Sequence, residues 1–233
     1  MREAVLAERL VALSSEDAAT LASEIVRRAP SGRPYDVALL ALSGALDRNL
    51  LGYDRRAAIY AIARDRGDHL LLRLLLSPQP GPDGTPAAVP IPGRPDLTLG
   101  ERKSLARTRR RDLIDRMLRD PDPAVLEILL ANPRVTESDA VRLAARRPNT
   151  AEAQRALFRA ERWKRRYAVQ RALVLNPYTP SDLAAQLVGL LTEPDLRRVE
   201  ADAQLVETVR AAARAQLALV AELRRPPNAP QRD

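Results

Sequence analysis

AVLEILLANPRVTESDAVRLA, residues 124–144, returns 44 residues later as AVQRALVLNPYTPSDLAAQLV, residues 168–188, with seven of 21 positions identical. The shared residues are Ala124/Ala168, Val125/Val169, Leu129/Leu173, Asn132/Asn176, Pro133/Pro177, Ala140/Ala184 and Leu143/Leu187. In one copy Val125, Ile128 and Leu129, and in the other Val169, Ala172 and Leu173, fall at the spacing that lines one face of a helix. Asn-Pro then breaks each pattern, because Asn tolerates the geometry of a helix end and Pro cannot continue the ladder. Thr136, or Ser181 behind Pro180, restarts the chain as the cap of a second helix. Between the copies RRPNTAEAQRAL, residues 146–157, is a shorter relative in which Pro148 to Thr150 matches Pro177 to Thr179. Helix pairs that recur every 20–50 residues stack as a solenoid, each burying its apolar face on its neighbours. The expected fold is therefore all-α, an α-solenoid of helical repeats over 98–223.

DPDPAV (Asp120 to Val125), followed by Leu129, Asn132-Pro133 and Thr136, resembles the leucine-rich repeat variant pattern, a bacterial α-solenoid related to HEAT and armadillo repeats. The copy at Val169, Leu173, Asn176-Pro177 and Pro180 is similar to it as well, so the resemblance covers roughly 119–188. It implies stacked helical repeats and brings no activity with it. The cysteine-bound iron–sulfur segment associated with that family cannot be carried over, because this chain has no Cys.

Working towards the N-terminus, residues 77–97 hold seven prolines and three glycines (SPQPGPDGTPAAVPIPGRPDL), a density that no helix or packed sheet survives. This stretch reads as a Pro/Gly-rich linker. Residues 1–76 read as an N-terminal unit of four or five helices. Ser14 with Asp17 resembles a capping box, and Ala18, Leu21, Ala22, Ile25 and Val26 follow at helical spacing. Pro30, Gly32 and Pro34 break that helix, Asp36 is placed to cap a third, and Gly52 and Gly67 punctuate the fourth. Beyond the repeats, RRPPNAPQRD from Arg224 onward reads as a disordered tail, 224–233.

Composition narrows the chemistry. The chain has 233 residues, 45% of them hydrophobic but only 3% aromatic, so its core must be aliphatic. Ala (39) and Leu (37) dominate, which favours closely packed helices. The lack of Cys removes disulfides, thiolate nucleophiles and cysteine-held metals, and a single histidine, His69, removes His-rich metal sites. Neither GxGxxG nor GxxxxGK[ST] nor GxSxG is present. His69 beside Asp68 suits a helix start better than a triad, and the close pairs Asp112/Asp115 and Asp120/Asp122 suit caps and arginine partners better than acid–base work. Neither catalysis nor a cofactor nor a metal is expected. The charged N-terminus lacks a signal peptide's unbroken apolar stretch, and Leu70 to Leu76 is too short to span a bilayer, so a cytoplasmic protein without membrane attachment is expected.

The net charge of +8 is local. Residues 98–171 carry 19 basic and 10 acidic groups, whereas 1–97 balance at 12 each. One basic cluster is Arg102, Lys103, Arg107, Arg109, Arg110 and Arg111. The other is Arg155, Arg159, Arg162, Lys164, Arg165, Arg166 and Arg171, enclosing Phe158, Trp163 and Tyr167. If one helix runs through this second cluster, Phe158, Arg162, Arg166 and Arg159, Trp163, Tyr167 form two i, i+4 ladders, placing guanidinium and aromatic groups on a shared face. Such a face suits an anionic partner. Alternatively, Trp163 and Tyr167 fill the core between repeats while the arginines cover a solvated side. The expectation is a non-catalytic protein–protein interaction module with an acidic partner, contacted through Arg102, Lys103, Arg109, Arg110, Arg111, Arg155, Arg159, Arg162, Trp163, Lys164, Arg165 and Arg166. The alternative is nucleic-acid binding through the same Arg/aromatic face.

Overall fold

In a computed structural model that describes residues 2–75 and 97–224, every regular element among them is helical and none is a strand. The linker and the tail expected at 77–97 and 224–233 lie, apart from Leu97 and Arg224, outside the described residues. Residues 2–75 form five α-helices, α1 (Arg2–Ala12), α2 (Ser15–Arg28), α3 (Tyr35–Asp47), α4 (Tyr53–Asp65) and α5 (His69–Leu75), with a single 3-10 turn at Ala29–Ser31. Residues 97–224 form nine more: α6 (Leu99–Leu105), α7 (Arg111–Met117), α8 (Pro123–Ala131), α9 (Glu137–Ala145), α10 (Ala151–Arg159), α11 (Tyr167–Val174), α12 (Ser181–Val188), α13 (Glu193–Ala201) and α14 (Glu207–Leu223).

Local chemistry sets the boundaries. Ser14 Oγ accepts from the Asp17 N–H at 3.1 Å and starts α2. Thr98 with Glu101, and Thr136 with Asp139, form complete capping boxes ahead of α6 and α9. Gly67, at φ 64°, ends α4 in a conformation that side chains disfavour, and Asp68 then accepts from the Leu71 N–H at 3.2 Å to open α5. Two expected caps are corrected. Asp36 lies inside the first turn of α3, where it accepts from the Val37 N–H at 2.6 Å, and Ser181 is the first residue of α12 rather than its cap.

The described residues fall into two compact units. One comprises 2–75, 185–203 and 207–224; the other comprises 97–184 and 204–206. The sequence reading runs 98–223 as one stretch, whereas the division falls inside α12, after Ala184. In the first unit α1 packs on α3, α2 on α3, α4 and α5, and α13 on α14, which also meets α5. Its core is aliphatic, with Leu10, Ala18, Leu39, Leu42, Ile59 and Leu71 buried. In the second unit alternate helices meet: α6 on α8, α8 on α10, and α9 on α11. Val125, Leu129, Val169 and Leu173, which the repeat assigns to apolar faces, are wholly buried there.

Both Asn-Pro corners lie in this second unit, and they are built alike. Asn132 Nδ2 donates to Ala106 O at 2.9 Å and Thr108 O at 2.7 Å, while Oδ1 accepts from the Arg134 N–H at 2.9 Å. Asn176 Nδ2 donates to Ala144 O at 2.6 Å and Arg146 O at 2.9 Å, and Oδ1 accepts from the Tyr178 N–H at 3.0 Å. In each case one buried amide satisfies two carbonyls, two residues apart, at an earlier helix end. The reason for Asn is thus its side chain and not its backbone tolerance, since Asn132 is in an extended conformation at φ −66°, ψ 125°. The middle corner differs. Asn149 Nδ2 returns to Leu143 O at 2.9 Å within its own helix end, and Thr150 caps α10, whereas Thr179 is buried with an unpartnered hydroxyl.

Candidate functional site

The second basic cluster does not form the continuous ladder expected of it. Helix α10 stops at Arg159, residues 160–166 make a turn, and α11 begins at Tyr167. Burial of one side chain accounts for the break. The Trp163 indole is 1% exposed, and its Nε1–H donates to Leu130 O at 2.8 Å, which fixes the turn against the end of α8. Arg162 lies over that ring, 4.2 Å from its centroid, and its Nη1 donates to Asn132 O at 3.3 Å. Phe158 is also buried, while Tyr167 keeps 38% of its surface. The aromatics therefore do not present a shared face: Phe158 and Trp163 belong to the core, and Tyr167 does not.

Most of the arginines and lysines assigned to a partner surface have partners within the chain. Arg102, only 14% exposed at its side chain, pairs with Asp120 at 2.6 Å and Asp122 at 3.6 Å. Arg110 pairs with Asp112 at 2.9 Å. Arg155 bridges to Asp182 at 2.8 Å. Lys164 is buried against Glu161 at 2.6 Å, Arg165 lies 3.7 Å from the same carboxylate, and Arg166 lies 3.7 Å from Glu137. Arg159 and Lys103 are half-buried, and Arg109 is exposed.

Arg111 joins a four-membered network. Its Nη1 donates to Asp139 Oδ2 and its Nη2 to Asp115 Oδ1, each at 2.6 Å. Arg142 Nη2 donates to Asp115 Oδ1 at 2.7 Å and to Asp139 Oδ1 at 2.6 Å. The Arg111 hydrogen bond, helped by the N–H of Thr136 and by Arg142, holds the Asp139 carboxyl well below the usual carboxylate range against the opposing effect of its burial. Hydrogen bonds from Arg111 and Arg142 likewise lower Asp115. Asp139 closes the α9 capping box at the same time, so the network clamps α9 to α7 by charge.

A second use of arginine was not visible in the sequence. Arg146 Nη1 donates to Leu118 O at the end of α7, and Arg147 Nη2 to Leu175 O at the end of α11. In the first unit Arg55 reaches Leu10 O, Leu13 O and the Ser15 hydroxyl, Arg56 reaches Leu75 O, and Arg210 reaches Glu200 O. Apart from the Ser15 hydroxyl, these are carbonyls at or just past a helix C-terminus, which lack an intrahelical donor and lie at the end where the helix dipole favours a cation. A good part of the chain's arginine is therefore spent on closing helices.

Among the described residues of the second unit the exposed cations whose side chains have no partner are Arg109, Arg116, Arg119 and Arg134, and in the first unit Arg2, Arg9 and Arg33 are exposed and unpartnered in the same way. His69 is exposed at the start of α5. Among the described residues no group of His, Asp or Glu is placed to hold a metal ion, and no helix is long and apolar enough to cross a membrane. The first unit contains a cavity of about 30 Å³, lined by Leu39, Leu70, Arg73, Gln186, Gly189 and Gln216 among others, with room on the scale of water. Arg73 is committed there to Ala211 O at 2.8 Å. No family model matches the chain, and searches of curated proteins and of solved structures likewise return no match.

Proposed function

We propose that the chain is a non-catalytic interaction module, an α-solenoid of the leucine-rich-repeat-variant or HEAT kind, whose basic segment receives an acidic protein partner. The like hydrogen bonding of Asn132 and Asn176 supports the repeat reading, as does the packing of α6 on α8, α8 on α10 and α9 on α11. The observation that carries the partner reading is the set of exposed guanidiniums at Arg109, Arg116, Arg119 and Arg134, with no carboxylate of the described chain to neutralise them. Cations held out in solvent and unpaired attract discrete anionic groups on another surface. A protein is favoured over a nucleic acid for two reasons. The aromatic rings that base stacking would need are buried at Phe158 and Trp163. Carboxylates at Asp112, Asp115 and Glu137 also interrupt the basic surface, where a phosphate backbone would want an unbroken track.

Charge reversal at Arg109, Arg116 and Arg134 together tests the proposal. Capture of a partner from nuclease-treated host lysate is expected to disappear while helicity and the melting temperature stay within error, since none of the three side chains bonds within the fold. Capture that survives the triple substitution, or that nuclease treatment alone removes, overturns it. In the second case direct binding of duplex and single-stranded oligonucleotides, steeply weakened by salt, takes its place.

A further inference from the structure

Three arginines meet at the first Asn-Pro corner. Asn132 Nδ2 donates to Thr108 O at 2.7 Å, one peptide bond from Arg109, and Asn132 Oδ1 accepts from the Arg134 N–H at 2.9 Å. The carbonyl of the same asparagine accepts from Arg162 Nη1 at 3.3 Å. The chain at Arg109, the chain at Arg134 and the guanidinium of Arg162 are thus tied to one residue. All three arginines are exposed, and none of them forms an ion pair among the described residues. The side chains of Arg109 and Arg134 bond nothing in the fold, so each offers its whole fork to solvent. Arg162 is held instead. Its guanidinium lies 4.2 Å from the centroid of the buried Trp163 ring, and of its donors only Nη1 is engaged.

The corner itself does not need these charges. At the equivalent one Asn176 Nδ2 donates to Arg146 O and Oδ1 accepts from the Tyr178 N–H, so Arg147 and Tyr178 stand where Arg109 and Arg134 stand at the first. Arg147 is spent on Gln204 Oε1 at 2.8 Å and Leu175 O at 2.7 Å. The same hydrogen bonds therefore form where neither position offers an unpartnered guanidinium. Like charges gathered at one turn repel one another, and an anion set among them relieves that cost.

We propose that Arg109, Arg134 and Arg162 form a receptor for one phosphorylated serine or threonine side chain of the protein partner. The inference rests on the acidic-partner reading above and names the acidic group that this corner takes. A phosphomonoester brings a charge of about −1.5 to −2 and three acceptor oxygens, enough for three guanidiniums. A carboxylate or a phosphodiester has a single charge and two such oxygens and leaves the corner short of both. Arg162, fixed by Trp163 and Asn132 O, is oriented before the ligand arrives, and the two unbonded arms close on it.

The test uses the full chain and a capped Gly-phosphoserine-Gly tripeptide, followed through the arginine Nε–Hε NMR resonances at about 50 mM salt, where exposed charges are weakly screened. Saturable shifts are expected with the phosphopeptide, about tenfold weaker binding with glutamate in place of phosphoserine, and none with serine. Arg109→Gln and Arg134→Gln should each weaken phosphopeptide binding about tenfold, the worth of one charge-assisted hydrogen bond, at an unchanged melting temperature. Arg116→Gln removes a guanidinium that is exposed and unpartnered but not tied to Asn132, and it should leave binding unaltered. The receptor is overturned if wild type does not bind the phosphopeptide, if the glutamate peptide binds as tightly, or if the two corner variants bind no worse than Arg116→Gln. None of these results touches the acidic-partner reading, which stands or falls on capture from lysate. A duplex oligonucleotide that displaces the phosphopeptide at equal phosphate concentration overturns both.

Discussion

Residues 2–75 and 97–184 are built from the same materials and set arginine to the same two duties, but they differ in how much positive charge is left when those duties are met. In the first stretch 11 basic residues face 10 acidic ones, Arg55 and Arg56 serve as donors to helix-terminal carbonyls at Leu10, Leu13 and Leu75, and Arg27 and Arg48 pair with Asp68 and Glu3. In the second, arginines again close helices, at Leu118, Asn132 and Leu175, and others clamp carboxylates at Asp115, Asp120, Asp139 and Asp182. Only after both duties are met does a surplus remain, at Arg109, Arg116, Arg119 and Arg134 here and at Arg2, Arg9 and Arg33 in the first stretch. Local net charge is thus a poor guide to a binding face when orphan carbonyls compete for the same side chains. The informative quantity is the number of cations left over.

The comparison can be broken most decisively in the cores. Leu129→Ala and Leu173→Ala in the second stretch, and Leu71→Ala in the first, are each expected to cost about 2–5 kcal/mol in urea unfolding, since all three side chains are buried. A near-zero cost at Leu129 and Leu173 would end the repeat registry. A smaller loss is expected where polar groups close helix ends. Asn132→Ala and Asn176→Ala should each cost about 1–3 kcal/mol by leaving buried carbonyls without donors, and Arg55→Ala should fall in the same range. Matched values for the two asparagines would sharpen the equivalence of the corners, and a gap wider than about 2 kcal/mol would break it. The smallest effect concerns the charge network of the second stretch alone. Asp139 has its folded pKa depressed by Arg111, so its contribution is fully present above the unfolded value, near pH 4, and is lost as pH falls through the folded one. Acid titration of the melting temperature should therefore slope less steeply below about pH 4 in Asp139→Asn than in wild type.

What the sequence disclosed and what it hid divide along physical lines. Helices were legible because Leu and Ala recur at helical spacing, and the Thr136 capping box because its partner lies three residues away. The Asn-Pro corners were legible as a repeat, but the reason for Asn was not, since its acceptors at Ala106 and Ala144 are 26 and 32 residues distant. The same distance hid the carbonyls that arginines cap. Helical periodicity predicted a ladder through Phe158, Trp163 and Tyr167. It failed there because burying one indole on Leu130 O outweighs the propensity of residues 160–166 to continue α10. Arg119 and Arg134 drew no attention because neither stands in a dense basic run.

The division inside α12 bears on how the protein is made. Residues 185–203 and α14 belong to the unit that begins with α1, so that unit is discontinuous along the chain. Its first five helices leave the ribosome early, but the remainder emerges last, after all of α6 to α11. The nascent N-terminal helices must wait with part of their apolar surface unsheltered, and a single proteolytic nick near the middle of the polypeptide cannot release two self-sufficient halves.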